Sequence, residues 1–186
     1  MLLFAGLGNP GQNYAMNRHN IGFMAVDLLA ERYGFPAWQK KSTALQSAGR
    51  IGTDKIILVK PQSYMNKSGL PVAEVARFHK ILPDNIFVFH DDMDIDSGKV
   101  KVKFGGSNAG HNGIESIDKN IGKNYTRIRI GIGHPKINST GADHVLDNFS
   151  HDEKQSVEEV TKNIIESLSI LIKKDLDLFS SKVNQK

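Results

Sequence analysis

Residues 6–11 read GLGNPG and follow the apolar run MLLFA at residues 1–5. This G-x-G-x-x-G pattern after an apolar strand is typical of a turn that binds a dinucleotide. That motif also needs a helix that opens at the third glycine and an acidic residue at the end of a second strand. Here residues 12–17 separate Gly11 from the first predicted helix, and Asp27 and Glu31 both lie within that helix. We therefore reject a nicotinamide or flavin cofactor and interpret the stretch as a tight turn.

Beyond this turn, apolar periodicity predicts alternating strands and helices along the chain. We predict strands at residues 2–7, 44–51, 55–60, 86–89, 99–104 and 127–132, and helices at residues 20–33, 68–80 and 112–121. Ser150 and Glu153 form a capping box that opens a long C-terminal helix, with an apolar stripe from Val157 to Leu171. The tail at residues 180–186 is predicted to fray. Such alternation predicts one α/β domain over residues 1–186, with a mixed, mostly parallel β-sheet flanked by helices.

Composition narrows the class of protein. The chain has 186 residues, no cysteine and a formal net charge of +4. The lack of cysteine excludes disulfides, thiolate metal sites and a cysteine nucleophile. No apolar run approaches the ~20 residues that a membrane helix needs, and the N-terminus lacks the features of a signal peptide. We expect a cytoplasmic protein, and the basic balance points weakly to a polyanionic partner.

An acidic stretch, DMDIDSG at residues 92–98, nearly matches a calcium-binding loop. Its glycine comes one place late and the twelfth position is not glutamate, so we reject a calcium loop. Two interpretations stay open. One is a magnesium site built on Asp91, Asp92 and Asp94, and the other is a solvated acidic turn.

Polar residues recur after strands or before helices, where an active site forms along the carboxyl edge of an α/β sheet. They are Asn9, His19, Asn66 beside Met65, Asp91, His111 and Asn112. A histidine can take a proton from water near neutral pH, and a carboxylate can orient it. Asparagine amides can donate to an oxyanion. GGSNA, residues 105–109, lacks the last glycine of a nucleophile elbow. We therefore favour direct attack of water on an acyl group over a Ser107 nucleophile.

The same residues carry a family resemblance. The matching motifs are GLGNPG with Tyr14 and RHN (18–20), KPQSYMNKSG (60–69), HDDMD (90–94), GGSNAGHNG (105–113) and RIRIGIGHP (127–135). With these motifs, which cover residue 2 to about 150, the chain resembles bacterial-type peptidyl-tRNA hydrolases. The resemblance implies a monomeric, cytoplasmic enzyme without metal or cofactor. It would cleave the ester between a peptide and the 3′ ribose of tRNA, which recycles tRNA from stalled translation.

The resemblance also implies roles for individual residues. It makes His19 the catalytic base, Asp91 its carboxylate partner, and Asn9 and Asn66 holders of the substrate near the scissile ester. Asn112 would position water or the peptide backbone, next to His111 in the same motif. Tyr14 and Met65 match pocket walls, and Lys103 and Arg129 match basic residues linked to tRNA binding. Ala109 and Asn138 depart from the family, which usually has a glycine and a basic residue at these places.

Charge along one predicted strand agrees with a tRNA partner. In KVKVKF, residues 99–104, strict alternation puts Lys99, Lys101 and Lys103 on one face. Lysines there would contact phosphates without reading sequence, although lysines also protect a solvated edge strand from pairing. A binding module of the same fold without catalysis is the main alternative, and the intact His19 and Asp91 argue against it.

Overall fold

A seven-stranded mixed sheet forms the centre of the computed structural model, which describes residues 1–185. The strands are β1 (Leu2–Gly6), β2 (Gln39–Lys41), β3 (Ala44–Ile51), β4 (Asp54–Pro61), β5 (Ile86–Asp92), β6 (Val100–Phe104) and β7 (Thr126–Gly131). Their order across the sheet is β2-β3-β4-β1-β5-β7-β6. The four central strands, β4, β1, β5 and β7, are parallel, and β2, β3 and β6 extend the sheet in antiparallel pairings. The predicted mixed α/β sheet is confirmed, and its parallel part is the centre.

Helices cover both faces of the sheet. They are α1 (Ile21–Arg32), α2 (Gly69–Phe78), α3 (Asn112–Ile121), α4 (Gly141–Leu146), α5 (His151–Glu166), α6 (Leu168–Ile172) and α7 (Leu176–Val183). One face, with Phe4 and Phe89, packs on α1, α5, α6 and α7. The other face, with Leu3 and Val88, packs on α2 and α3. Within residues 1–185, no helix combines the length and apolar character that a membrane span requires.

The C-terminal part differs from the single long helix that the apolar stripe predicts. The capping box of Ser150 and Glu153 is present, but α5 ends at Glu166, and Ser167 leaves the helical conformation at φ −102° and ψ 6°. The stripe continues across this break, since Leu168 and Leu171 are fully buried. The prediction of a frayed tail is wrong for residues 180–183, which belong to α7. Val183 packs there into the core, and Lys186 lies outside the described residues.

The glycines of residues 6–11 allow close packing and a sharp turn. A methyl group added at Gly6 would lie 2.3 Å from the carbonyl oxygen of Gly22, so only glycine lets α1 lie directly on β1. Gly11 has a φ of 105°, which favours glycine. These roles agree with the tight turn predicted from the sequence, and the close packing brings the start of α1 against the carboxyl end of β1.

Candidate active site

Two histidines share one buried carboxylate at the carboxyl end of the parallel strands. Asp91 lies in β5, and its side chain is 1% exposed. Its Oδ2 lies 2.7 Å from Nδ1 of His19, and its Oδ1 lies 2.7 Å from Nε2 of His111. His19 belongs to a short 3-10 helix (Arg18–Asn20) before α1, and His111 immediately precedes α3. The fold thus joins three polar clusters that are far apart in the sequence, including the expected contact between His19 and Asp91.

Hydrogen bonds determine how each histidine can act. Nδ1 of His111 accepts bonds from the backbone N–H groups of Gly113 and Ile114, at 3.1 and 3.2 Å. That nitrogen is therefore unprotonated, and Nε2 donates its proton to Asp91. His111 is a neutral helix cap with both nitrogens engaged. His19 donates from Nδ1 to Asp91, which leaves its Nε2 without a hydrogen-bond partner among residues 1–185. Only His19 therefore has a free basic nitrogen in this group.

Burial and charge shift the pKa values of His19 and Asp91 in opposite directions. Burial lowers the pKa of His19, but the charge of Asp91 and its hydrogen bond outweigh this effect and raise that pKa above 6.5. Burial raises the pKa of Asp91, and the two histidines overcome it and hold that pKa well below its usual range. Asp91 therefore stays ionised and stabilises a protonated His19.

Asn9 lies beside this group in the turn after β1. Its Oδ1 accepts a bond from the backbone N–H of Met65 at 2.8 Å. Asn20 binds the Asn9 backbone on both sides, since it accepts from the N–H at 2.8 Å and donates to the carbonyl at 2.9 Å. Because its oxygen accepts from a backbone N–H, the Asn9 amide has a defined orientation. The tight turn thus connects β1 to the segments that carry His19 and Met65.

A cavity of ≈ 390 Å³ opens beside the two histidines. Of the residues proposed for the site, it is lined by His19, Asp91, Lys103, His111, Asn112 and Arg129. Asn9, Tyr14, Met65 and Asn66 do not line it. Tyr14 instead packs edge to face on Tyr64, at 6.4 Å between ring centroids, and Asn66 is exposed in a short 3-10 helix (Met65–Lys67).

The acidic stretch does not gather Asp91, Asp92 and Asp94 into one magnesium site, whereas Asp94 and Asp96 are exposed, as the solvated-turn interpretation expects. Asp91 binds the histidines, and Asp92 is buried and accepts a bond from Nε of Arg129 at 2.9 Å. Asp94 is exposed and lies 3.5 Å from His134. The three carboxylates therefore point to different partners, and Asp92 positions the basic Arg129 at the cavity.

His19, Asp91 and His111 also have the donor types of a metal site, with one ligand atom each within 4.8 Å of the others. Zinc ligand atoms that each lie ~2.0–2.2 Å from the ion are about 3 Å or more apart. The 2.7 Å separations here are shorter and suit direct hydrogen bonds. The atoms that face Asp91 thus fit protons better than a metal ion.

The glycine-rich loop gives no support to a serine nucleophile. The Oγ of Ser107 accepts a bond from the backbone N–H of Ala109 at 3.1 Å, and Ser107 is exposed. Ala109 has a φ of 49°, a left-handed conformation that favours glycine.

Several residues near the site were not assigned a role from the sequence. His90 donates from Nδ1 to the Asp91 carbonyl at 2.8 Å, and burial lowers the pKa of His90 to about 3, so it stays neutral. Arg127, fully buried, donates to the Ser107 carbonyl and to Asp118 at 2.8 and 2.9 Å. Both lie in quoted motifs, but only the fold reveals their partners.

These features define a class of protein: an α/β enzyme with a histidine–aspartate pair beside a cavity at the carboxyl ends of parallel strands. The family model for peptidyl-tRNA hydrolase matches residues 3–186. The chain belongs to this family.

Individual relatives agree with this membership. The chain is 52% identical to a peptidyl-tRNA hydrolase of Pelagibacter ubique over 186 residues, all of both chains. It is 46% identical to one of Bradyrhizobium diazoefficiens, covering 99% of this chain and 92% of that protein. The crystal structure of peptidyl-tRNA hydrolase from Acinetobacter baumannii matches with a TM-score of 0.93 and 33% identity, over 99% of this chain and 94% of that one.

Proposed function

We propose that this chain hydrolyses the ester between the peptide and the 3′ ribose of peptidyl-tRNA, with His19 as the general base. The substrate class follows from family membership, since relatives that match the whole chain are peptidyl-tRNA hydrolases. The observation that carries the choice of base is the free Nε2 of His19, because both nitrogens of His111 are engaged.

The reaction uses one water molecule, and His19 transfers one proton from this water to the leaving ribose oxygen. Nε2 of His19 takes a proton from water as the oxygen attacks the ester carbonyl carbon, and Asp91 stabilises the resulting imidazolium. When the tetrahedral intermediate collapses, the bond to the ribose oxygen breaks and His19 returns the proton to that oxygen. The products are a free peptide and tRNA with a 3′ hydroxyl.

Amide groups beside the base are suited to hold the substrate and the negative charge that develops on the carbonyl oxygen. Asn112 lines the cavity next to His111. The Oδ1 of Asn9 is occupied by Met65, so its Nδ2 is the group that remains to donate. Four residues do not line the cavity, and we assign them to the substrate on the resemblance alone: Asn9, Tyr14, Met65 and Asn66.

The partner that we propose is tRNA, held by basic side chains at the cavity. Lys103 is exposed on β6, and Arg129 on the neighbouring β7 is 25% exposed at its side chain. Such contacts to phosphates add affinity without selecting a sequence, as an enzyme that accepts many tRNAs requires. We also propose that the enzyme acts as a monomer in the cytoplasm, as the family resemblance implies.

The test is hydrolysis of an N-acylated aminoacyl-tRNA, with and without a chelator, beside free aminoacyl-tRNA as control. We expect release of the acylated amino acid at the same rate in chelator, while the free aminoacyl ester is spared. Binding without release would instead favour the non-catalytic binding module. Loss of activity in chelator would favour a metal at His19, Asp91 and His111.

The same assay distinguishes direct attack of water from the alternative in which Ser107 is the nucleophile. Ser107→Ala should retain nearly full activity, because the Ser107 hydroxyl binds its own loop. A loss of several orders of magnitude would instead point to an acyl-enzyme.

A further inference from the structure

Arg18, the residue before His19, connects the catalytic segment to two helices far along the chain. Its Nε and Nη2 bind the two carboxylate oxygens of Glu153 in α5, at 3.0 and 2.7 Å. Its Nη1 donates to the carbonyl of His144 in α4 at 3.0 Å, and its backbone N–H donates to the carbonyl of Asp147 at 3.0 Å. The two parallel bonds to one carboxylate fix the guanidinium in a single orientation.

Neighbouring residues extend this connection. Asn17 and Asn148 form an antiparallel bridge, and their side chains bond at 2.8 Å. The Met16 carbonyl accepts a bond from the N–H of Phe149 at 3.3 Å. We name residues 16–18, residues 147–149 and Glu153 the clasp. Through the clasp, the chain just before His19 is held by the segment between α4 and α5.

Helix α4 is also held on its other side, by the residues that follow β7. The buried His144 directs Nε2 at the carbonyls of Ile132 and Gly133, at 3.1 and 2.9 Å, just after β7. Between these attachments, α4 lines the cavity with Ala142 and Val145. The position of this wall relative to His19 therefore depends on Arg18.

The ion pair at the centre of the clasp is well formed. The side chains of Arg18 and Glu153 are only 11% and 21% exposed. Their hydrogen bond lowers the pKa of Glu153 to about 2, so the pair is charged at neutral pH. Glu153 also closes the capping box with Ser150, which ties the first turn of α5 to the same point.

We propose that Arg18 is a positioning residue. With Glu153 as its partner, it holds His19 within hydrogen-bond distance of Asp91 and in a fixed position relative to the cavity wall formed by α4. This inference rests on the proposed role of His19 as base. A base displaced by about 1 Å can lose ~100-fold in rate, so a rigid clasp beside His19 has a direct kinetic effect.

The test compares Arg18→Met, Glu153→Gln and the double variant in the hydrolysis assay. We expect each single substitution to lower kcat by roughly 10- to 100-fold, because His19 is less well placed. The double variant should lose no more than Arg18→Met alone, because both substitutions break the same contact. If Arg18→Met does not fold, Glu153→Gln decides the question by itself.

A pH profile separates positioning from general stability. The double variant removes one charge of each sign, so it leaves the local net charge unchanged. If His19 moves away from Asp91, the acid limb of kcat/KM moves to lower pH, toward the unperturbed value near ~6.5. A merely structural clasp would leave the acid limb where it is in the native enzyme.

Two controls complete the design. Val157→Ala removes buried volume one turn after Glu153 on α5 without removing a hydrogen bond of the clasp, and Lys119→Met with Glu115→Gln breaks an exposed ion pair on α3. Both should keep kcat near the native value. The proposal is overturned if the folded clasp variants stay within about twofold of native kcat, or if Val157→Ala loses as much. His19→Ala is measured alongside: full activity there would overturn the assignment of the base and this inference with it.

Discussion

At the scale of single residues, Asp91 controls both the charge and the orientation of His19. It accepts the Nδ1 proton at 2.7 Å and raises the pKa of His19. If His19 is the proposed base, it must be deprotonated to act, so kcat/KM should rise with pH through this raised pKa. The acid limb of the native enzyme should therefore lie above pH ~6.5.

Asp91→Asn tests this control. The neutral amide no longer raises the pKa of His19 while burial still lowers it, so the acid limb should move to lower pH. The plateau rate should also fall by roughly 10²–10⁴-fold, because an amide does not hold the required tautomer. The measurement is kcat/KM from pH 5 to 9. An acid limb that does not move would contradict the coupling of these two residues.

His111 combines a helix cap with a donor to Asp91, and two substitutions separate these roles. Asparagine is a good N-cap but is too short to replace the ring at Asp91, whereas alanine loses both functions. We expect His111→Ala to lose about 1 kcal/mol of stability and His111→Asn to lose less. Both should lower kcat to a similar extent. Recovery of full activity in His111→Asn would restrict His111 to capping.

Residue types near the site were predictable, but their partners were not. The position of His19 just before a helix and of Asp91 at a strand end suggested a common edge of the sheet, and the two residues meet there. The pairing of Asp92 with Arg129 was missed, because a run of acidic residues looks the same in sequence whether it is solvated or buried. The role of Arg18 needed residues 144–153, which are more than 120 positions away.

At the scale of elements, close contact between α1 and the sheet places His19. A methyl group at Gly22 would lie 2.2 Å from the Phe89 carbonyl oxygen and 2.5 Å from the Leu7 nitrogen, both backbone atoms. Gly22→Ala should therefore push α1 off the sheet and cost about 2–3 kcal/mol. Thermal unfolding measures this, with the exposed Glu31→Ala on the same helix as control. Equal midpoints for both variants would contradict the close packing.

Elements with strong periodicity were predicted within one or two residues, and weaker ones were not. Residues 112–121 and 55–60 carry clear patterns and agree with α3 and β4. Strand β2 has three exposed polar residues, and α4 is a six-residue helix capped by Thr140, so neither has an apolar stripe. The break at Ser167 could not be predicted, because the apolar stripe continues from α5 into α6.

At the scale of the whole molecule, lysines lie on both edge strands of the sheet, and the cavity lies beside β6. Lys103 lines the cavity on edge strand β6, while Lys40 lies on β2 at the opposite edge. If the tRNA phosphates lie at the cavity, Lys103→Met should reduce the slope of log K against log salt by about 0.7–0.9. Lys40→Met should leave it unchanged. Measuring tRNA binding at several salt concentrations gives the slope for each variant. Equal slopes for the two variants would indicate that the tRNA phosphates do not contact Lys103 on β6.

The central claim is that His19 is the base of a hydrolytic site built on Asp91. The most direct measurement is single-turnover hydrolysis of N-acylated aminoacyl-tRNA by the native enzyme and by His19→Ala, with tRNA binding measured on the same samples. We expect His19→Ala to lose roughly 10²–10⁴-fold in the rate of the chemical step while tRNA binding is retained. Hydrolysis at the native rate by His19→Ala would contradict it.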